Sequence, residues 1–323
     1  MRDVEPSRAS DRVTVVNISG YSRSGSTLLS RMLGELPGCV AAGEIWHIWR
    51  RSFGKDERCG CGRPFRACEF WVEVVRQAFG GIDGVDAERI AVLQASLQFQ
   101  ARPLASLLPA LRSESFRTRL AEYESAVISL YDAIRRISGA RVIVDSTKIP
   151  SNALLLAEMN GIDLRVVHLI RDSRATAHSW QRAKIQPSLS PRQVALGWMG
   201  SNLLIGQLRR RFETYQVLRY EDFVRAPDAT IVNIASRLGI STSAPQGRGA
   251  RTGTVELPVH HTISGNPNRF ATGEVVIAPD DEWRTEMPGG QKGLVLAVTW
   301  PLLWRYGYLA KPPIAHADRR TAR

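Results

Sequence analysis

The stretch from Val13 to Leu29, VTVVNISGYSRSGSTLL, limits the possible folds more than any other part of the chain: it reads as a buried strand, a Gly/Ser-rich turn and the start of a helix. Val13 to Asn17 are β-branched or short, Gly20 and Gly25 stand where a turn needs unusual backbone angles, and Ser26 and Thr27 open a helix-compatible apolar run. A helix starting directly after such a turn aims unsatisfied N–H groups and its positive dipole end at one point, which suits a phosphate or sulfate. The spacing Gly20-x4-Gly25-Ser26-Thr27 nearly matches the P-loop of nucleotide triphosphatases, but Ser26 holds the lysine position, so the usual triphosphate grip is missing. A different cation, Arg23, sits inside the loop, where it can meet an anion from the side opposite the helix terminus. On this stretch alone, a strand–turn–helix without chemical meaning and with a solvated arginine is the alternative.

The rest of the chain supplies repeated strand–helix steps. Runs at Arg141 to Asp145, Leu164 to Ile170 and Tyr215 to Arg219 read as strands, each followed by helical patterning, so the fold class is α/β: a P-loop-like parallel sheet flanked by helices. Residues from about 69 to 138 are helical throughout and form an insertion that either walls a pocket or covers the sheet. A single domain is expected over 13–312, with polar, aperiodic tails at 1–12 and 313–323 and a flexible loop from Ser241 to Arg251. In a parallel sheet, ligands sit at the carboxyl ends of the strands, where Glu44, Ser146 to Lys148 and Arg171 to Arg174 all fall.

The formal charge of +12 favours an anionic ligand, nucleic acid or membrane surface. The basic residues are scattered, with no aromatic-interleaved stripe, so no nucleic-acid partner is expected. The longest apolar run, Leu294 to Trp304, is broken by Pro301 and falls short of the roughly 20 residues of a membrane span, and the N-terminus lacks the apolar core of a signal peptide; the reading is a soluble cytoplasmic protein. Cys59, Cys61 and Cys68 fall within ten residues and suggest a metal or redox site, but paired Cys-x2-Cys units and a fourth ligand are not evident, and free thiols or a single disulfide are the alternative. His260 and His261 are adjacent and cannot point the same way on a strand, which argues against a metal pair. No metal is expected.

Five motifs then carry a likeness: YSRSGSTLL at 21–29, AGE at 42–44, RDSRATAHS at 171–179, LRYED at 218–222 and GNPNRF at 265–270. Together, over about 13–305, they resemble the sulfotransferases that use 3′-phosphoadenosine 5′-phosphosulfate (PAPS), and within them a bacterial branch similar to the tyrosylprotein sulfotransferases. The resemblance implies that Ser22, Arg23, Ser24, Gly25, Ser26 and Thr27 bind the 5′-phosphosulfate, that Arg171 and Ser179 hold the 3′-phosphate, and that Arg269 of the last motif joins the donor-binding set. It makes Glu44 the general base. Lys148 falls near the position of a lysine that assists the transferred sulfuryl group, with Ser146 and Thr147 as alternatives for that place.

Many soluble members place a lysine in the loop and use a histidine base. This chain instead offers Arg23, a permanently charged bidentate clamp, and Glu44, whose pKa is expected to be raised by burial near Trp46 and opposed by Arg23. The implied reaction is sulfuryl transfer from PAPS to an acceptor hydroxyl on a small molecule, glycan or peptide, without a metal. A P-loop kinase or NTPase and a non-enzymatic basic nucleotide- or RNA-binding module are the competing readings. Trp46, Trp49 and Trp180 are candidates for stacking on an acceptor ring, or core residues.

Overall fold

β1 (Val13–Gly20) is the middle strand of a five-stranded parallel sheet ordered β2–β3–β1–β4–β5, with β2 at Cys39–Gly43, β3 at Val142–Asp145, β4 at Ile162–Ile170 and β5 at Thr214–Arg219. The computed structural model describes residues 12–98, 114–183, 188–240 and 253–309; the tails and the 241–251 loop of the sequence reading lie outside these residues, apart from Arg12. The apolar runs follow from burial on both faces. Val13 and Val15 join Ile143, Leu164 and Val166 in one core, while Val16 and Ile18 join Val144, Val167 and Leu169 in the other. The chain runs to β2 and β3 on one side of β1 and then to β4 on the other, so the order in which strands are added reverses beside β1, where ligands of such sheets bind.

The described residues cluster as two compact units, where the sequence reading has one domain over 13–312. The first holds the described residues through Ile170 together with Leu204–Pro279. It contains the sheet, α1 (Ser26–Gly34), and the insertion helices α2 (Glu69–Phe79), α3 (Ala87–Leu97) and α4 (Glu114–Ser138). Trp71, Val74, Leu97 and Leu130 pack into the same core as Val13 and Val15, so the insertion covers one face of the sheet. Trp46 and Trp49 are buried in that core as well, and Trp49 stacks on Phe53 with ring centroids 5.6 Å apart. α5 (Pro150–Ala157) follows β3. Between β5 and Gly239 lie two helices, a short α6 (Tyr220–Arg225) and α7 (Pro227–Arg237), the second opened by Pro227, which is well placed in a first turn. A small antiparallel pair, β6 (Thr254–Leu257) and β7 (Gly273–Val276), completes this unit.

The second unit holds Arg171–Leu203 and the described residues from Asp280 onward. Its helix α8 (Ser173–Arg182) is capped by Asp172, whose carboxylate accepts from the Arg174 N–H at 2.8 Å and from the Arg174 guanidinium at 2.7 Å. Ser173 Oγ lies 2.7 Å from Thr299 Oγ1 of α9 (Gly289–Arg305). These contacts fix the start of α8, where Arg171 stands.

Candidate active site

The loop after β1 has the geometry of an anion cradle. Gly20 has φ 148°, and a Cβ there would meet Leu169 O at 2.3 Å; Gly25 has φ 88°, and its Cβ would run into the Tyr220 ring at 2.5 Å. Arg23 adopts φ 68°, a left-handed conformation that costs a non-glycine residue roughly 1 kcal/mol or more. α1 then starts at Ser26 with no acidic residue in its own first turn and no side-chain cap. The Ser24 hydroxyl is buried and has no hydrogen-bond partner among the described residues. A buried, unpaired hydroxyl beside an uncapped helix terminus fits an oxyanion ligand.

Glu44 stands at the end of β2, and its position is fixed by a segment distant in sequence. Gly43, at φ 88°, bridges Ile263, and the Glu44 N–H donates to Ile263 O at 2.9 Å. The carboxylate is buried; the Lys148 ammonium donates to Oε1 and, at 3.3 Å, to Ser146 O, while His47 Nε2 is 3.4 Å from Oε2. Burial is the largest single influence and raises the Glu44 pKa, but the Lys148 charge and the hydrogen bonds from His47 and Lys148 together outweigh it and bring the pKa to about 2. The resting carboxylate is therefore lowered by Lys148 and His47, in contrast to the raised pKa opposed by Arg23 that the sequence suggests. A pKa below the ordinary 4.5 means that this site stabilises the fold above about pH 4.5 and loses that contribution as pH falls toward 2. Lys148→Ala removes the main opposing charge and is expected to be less stable than wild type in urea at neutral pH, by a margin that shrinks as pH falls toward 2; equal stabilities at neutral pH would contradict the pairing.

The turn that carries Lys148 is held by a buried carboxylate, Asp145, that the sequence shows only as the end of a strand. Asp145 accepts from Thr147 N–H at 2.8 Å, Ile45 N–H at 3.3 Å, Tyr131 Oη at 2.8 Å and Asn152 Nδ2 at 3.2 Å. Thr147 Oγ1 in turn accepts from Trp46 N–H at 3.2 Å, and Thr147 O from Asn17 Nδ2 at 3.2 Å. One side chain thus ties the ends of β1, β2 and β3 together below Glu44 and Lys148. Burial pushes the Asp145 pKa up, and the hydrogen bonds from Thr147 and Tyr131 oppose it. Asp145→Ala leaves several buried donors unpaired and is expected to lower stability by about 3 kcal/mol or more in urea unfolding. A loss under about 1 kcal/mol would mean that this hub is dispensable.

The segment 258–270 closes over the same spot. Gly265 has φ 97°, and a Cβ there would stand 3.3 Å from Glu44 Oε1 and 3.5 Å from Thr27 Oγ1, so the carboxylate and the start of α1 flank one glycine. Asn266 N–H donates to Thr27 Oγ1 at 3.4 Å. Buried Arg31 of α1 donates to Asn268 O at 2.9 Å, Pro258 O at 3.0 Å and His260 Nδ1 at 3.2 Å, and His260 Nε2 is 2.8 Å from Glu35. Arg269, expected among the donor ligands, directs its terminal nitrogens to the carbonyls of Gly265 at 2.9 Å and Arg58 at 3.2 Å, so the structure gives it a role in holding this segment. Only its Nε lacks a partner among the described residues. His261 turns away from His260, toward Cys59 and Cys68.

In the second unit, Arg171 pairs with Asp280 at 2.5 Å, and its carbonyl accepts from Trp198 Nε1 at 2.9 Å. Ser179 lies about two turns along α8, half-buried.

A family model described as the sulfotransferase family matches residues 16–244, a span that contains the loop, Glu44, Lys148, Arg171 and Ser179. The chain belongs to the sulfotransferase family. This sulfotransferase is therefore an enzyme of sulfuryl transfer, and the kinase or NTPase and RNA-binding readings are not favoured. The match is to the family as a whole and gives the tyrosylprotein branch no support. Two solved structures share the fold. The sulfotransferase domain from the Synechococcus PCC 7002 olefin synthase is 22% identical with a TM-score of 0.51, covering 92% of this chain and 97% of that one. The sulfotransferase domain from the curacin biosynthetic pathway is 15% identical with a TM-score of 0.51, covering 90% and 97%. No curated protein matches the chain. Among the described residues of this sulfotransferase, no helix is long and apolar enough to cross a membrane.

Proposed function

We propose that this sulfotransferase takes the sulfuryl group from PAPS and passes it to a hydroxyl of a small molecule, glycan or peptide in the cytoplasm, releasing adenosine 3′,5′-bisphosphate. Residues 22–27 bind the 5′-phosphosulfate. Glu44 takes the proton of the acceptor hydroxyl as its oxygen bonds to sulfur, and the bond from sulfur to the phosphate oxygen breaks. Arg23, Lys148 and the N–H groups at the start of α1 neutralise the charge that gathers on the sulfuryl and leaving oxygens, so positioning and electrostatics supply the catalysis and the transfer itself is assigned no metal.

The observation that carries this reading is the placement of the Glu44–Lys148 pair beside Thr27, at the mouth of a helix terminus with a buried, unpaired Ser24 hydroxyl. In the resting protein Glu44 is too weak a base. When Lys148 turns to the sulfuryl oxygens, the burial that raises the Glu44 pKa is no longer opposed by that charge, and the carboxylate becomes a stronger base at the moment the donor is in place. The 3′-phosphate is assigned to Arg171 and Ser179 by resemblance, with the phosphate taking over from Asp280 as the partner of Arg171.

The test is incubation with radiolabelled PAPS and a panel of hydroxylated small molecules, glycans and peptides. Label moving to at least one acceptor class is the expected result. Magnesium-dependent ATP turnover with no label transferred would overturn the reading.

A further inference from the structure

Cys59, Cys61 and Cys68 have no part in sulfuryl transfer as described, yet the fold brings to them the fourth group that the sequence does not show. His261 lies 193 residues beyond Cys68 in the chain, and its Nδ1 stands 3.2 Å from Cys68 Sγ and 3.7 Å from Cys59 Sγ; Cys61 Sγ is 3.6 Å from Cys68 Sγ. All four ligand atoms lie within 4.8 Å of one another, and all three thiols are free. Around a tetrahedral zinc ion, with Zn–S about 2.3 Å and Zn–N about 2.0 Å, neighbouring ligand atoms stand roughly 3.5 to 3.8 Å apart, close to the three separations seen here.

The scaffold holds each of these groups in place. The Cys59 to Arg63 turn is closed by Cys59 N–H to Arg63 O at 2.8 Å and Gly62 N–H to Cys59 O at 2.8 Å. Gly60 N–H donates to Thr262 O at 2.8 Å, and a Cβ on Gly60 would meet His260 O at 2.4 Å, so glycine is required for the loop to lie against the histidine segment. The His261 ring stacks on Phe70 with centroids 5.0 Å apart, and its carbonyl accepts from Trp71 Nε1 at 2.9 Å. Cys59 and Cys68 are buried, and a surface pocket lined by Cys61, Arg63, Cys68, Glu69 and His261 reaches the cluster from solvent.

We propose that Cys59, Cys61, Cys68 and His261 form a structural Cys3His zinc site that clamps the 258–270 segment to the cysteine loop. Three sulfur ligands and an imidazole select a soft, tetrahedral ion over magnesium or calcium, and four protein ligands leave no open position for catalysis. Zinc binds the thiolates, and their protons leave to solvent. Ile263, two residues beyond His261, pairs with the backbone of Glu44, and Gly265 follows it, so the ion fixes the wall of the active site without touching substrate.

The test uses the full chain purified under reducing conditions. Elemental analysis is expected to find about one zinc per chain in wild type and in Cys39→Ser, and at least tenfold weaker zinc retention in Cys61→Ser and Cys68→Ser. Wild type freed of zinc and titrated with cobalt(II) is expected to develop tetrahedral d–d bands and thiolate-to-cobalt charge transfer that saturate at one equivalent and vanish on adding zinc, a readout that does not depend on any variant folding. Wild type that purifies without metal and leaves cobalt octahedral, or zinc content unchanged in both cysteine variants, would overturn the proposal. Sulfuryl transfer is not needed for any of these readings, so failure here leaves the assigned reaction standing.

Discussion

Glu44→Gln is expected to retain donor binding and to lower turnover by about 10² to 10⁴-fold at saturating donor and acceptor. The amide preserves the shape of the carboxylate, and its oxygen still accepts from Lys148, so the buried site stays filled and paired. It cannot take a proton from the acceptor hydroxyl. Because only a transition-state interaction is removed, the loss appears in kcat and equally in kcat/KM, with little change in the affinity for donor. Near wild-type turnover would move the base elsewhere. His47 is then first in line, since its Nε2 already stands 3.4 Å from the Glu44 carboxylate, whereas His260 is engaged by Arg31 and Glu35 and His261 faces the cysteines.

Arg23→Ala is expected to weaken both donor binding and turnover, the latter by about 10² to 10³-fold, because a guanidinium against the sulfuryl group acts in the ground state and the transition state. Its backbone allows a sharper comparison. Arg23 lies at φ 68°, where alanine keeps the left-handed penalty and glycine does not. Arg23→Gly is therefore expected to be more stable than Arg23→Ala by about 1 kcal/mol and as inactive as Arg23→Ala. Denaturant unfolding and turnover of the pair check both parts. Equal stabilities would show that the loop relaxes away from this conformation once the arginine is gone, and an active glycine variant would show that the guanidinium has no part in transfer.

What the sequence discloses here is what burial and chain-local sterics dictate. The strands of the sheet are readable as apolar runs because both faces of the sheet are covered, and Gly20 and Gly25 mark the cradle because each is crowded by Leu169 or Tyr220 in a backbone region closed to larger residues. The place of Glu44 at a strand end is readable from the pattern and its role as a base only through the family motifs, while its protonation behaviour is not readable at all: burial near Trp46 can be guessed, whereas Lys148 reaches it from 104 residues away. The same holds for Asp145, which looks like an ordinary strand end until Ile45, Tyr131 and Asn152 converge on it. The partners of the 258–270 segment, Arg31, Gly43 and Thr27, are all more than 200 residues earlier, so nothing in the segment itself shows what it packs on. Tryptophans 46 and 49, candidates for stacking on an acceptor, are core. Hydrogen bonds between distant buried groups leave no periodic trace in a sequence, and these assemble most of the candidate site.

The donor assignment is tested most directly by calorimetry of adenosine 3′,5′-bisphosphate against AMP on the wild-type chain. If Arg171 and Ser179 read the 3′-phosphate through charge-assisted hydrogen bonds of about 1.5 to 3 kcal/mol, the bisphosphate binds about 10 to 100-fold more tightly than AMP, and Arg171→Ala removes most of that difference while leaving AMP nearly unchanged. Equal affinities of wild type for the two nucleotides would contradict PAPS as the donor.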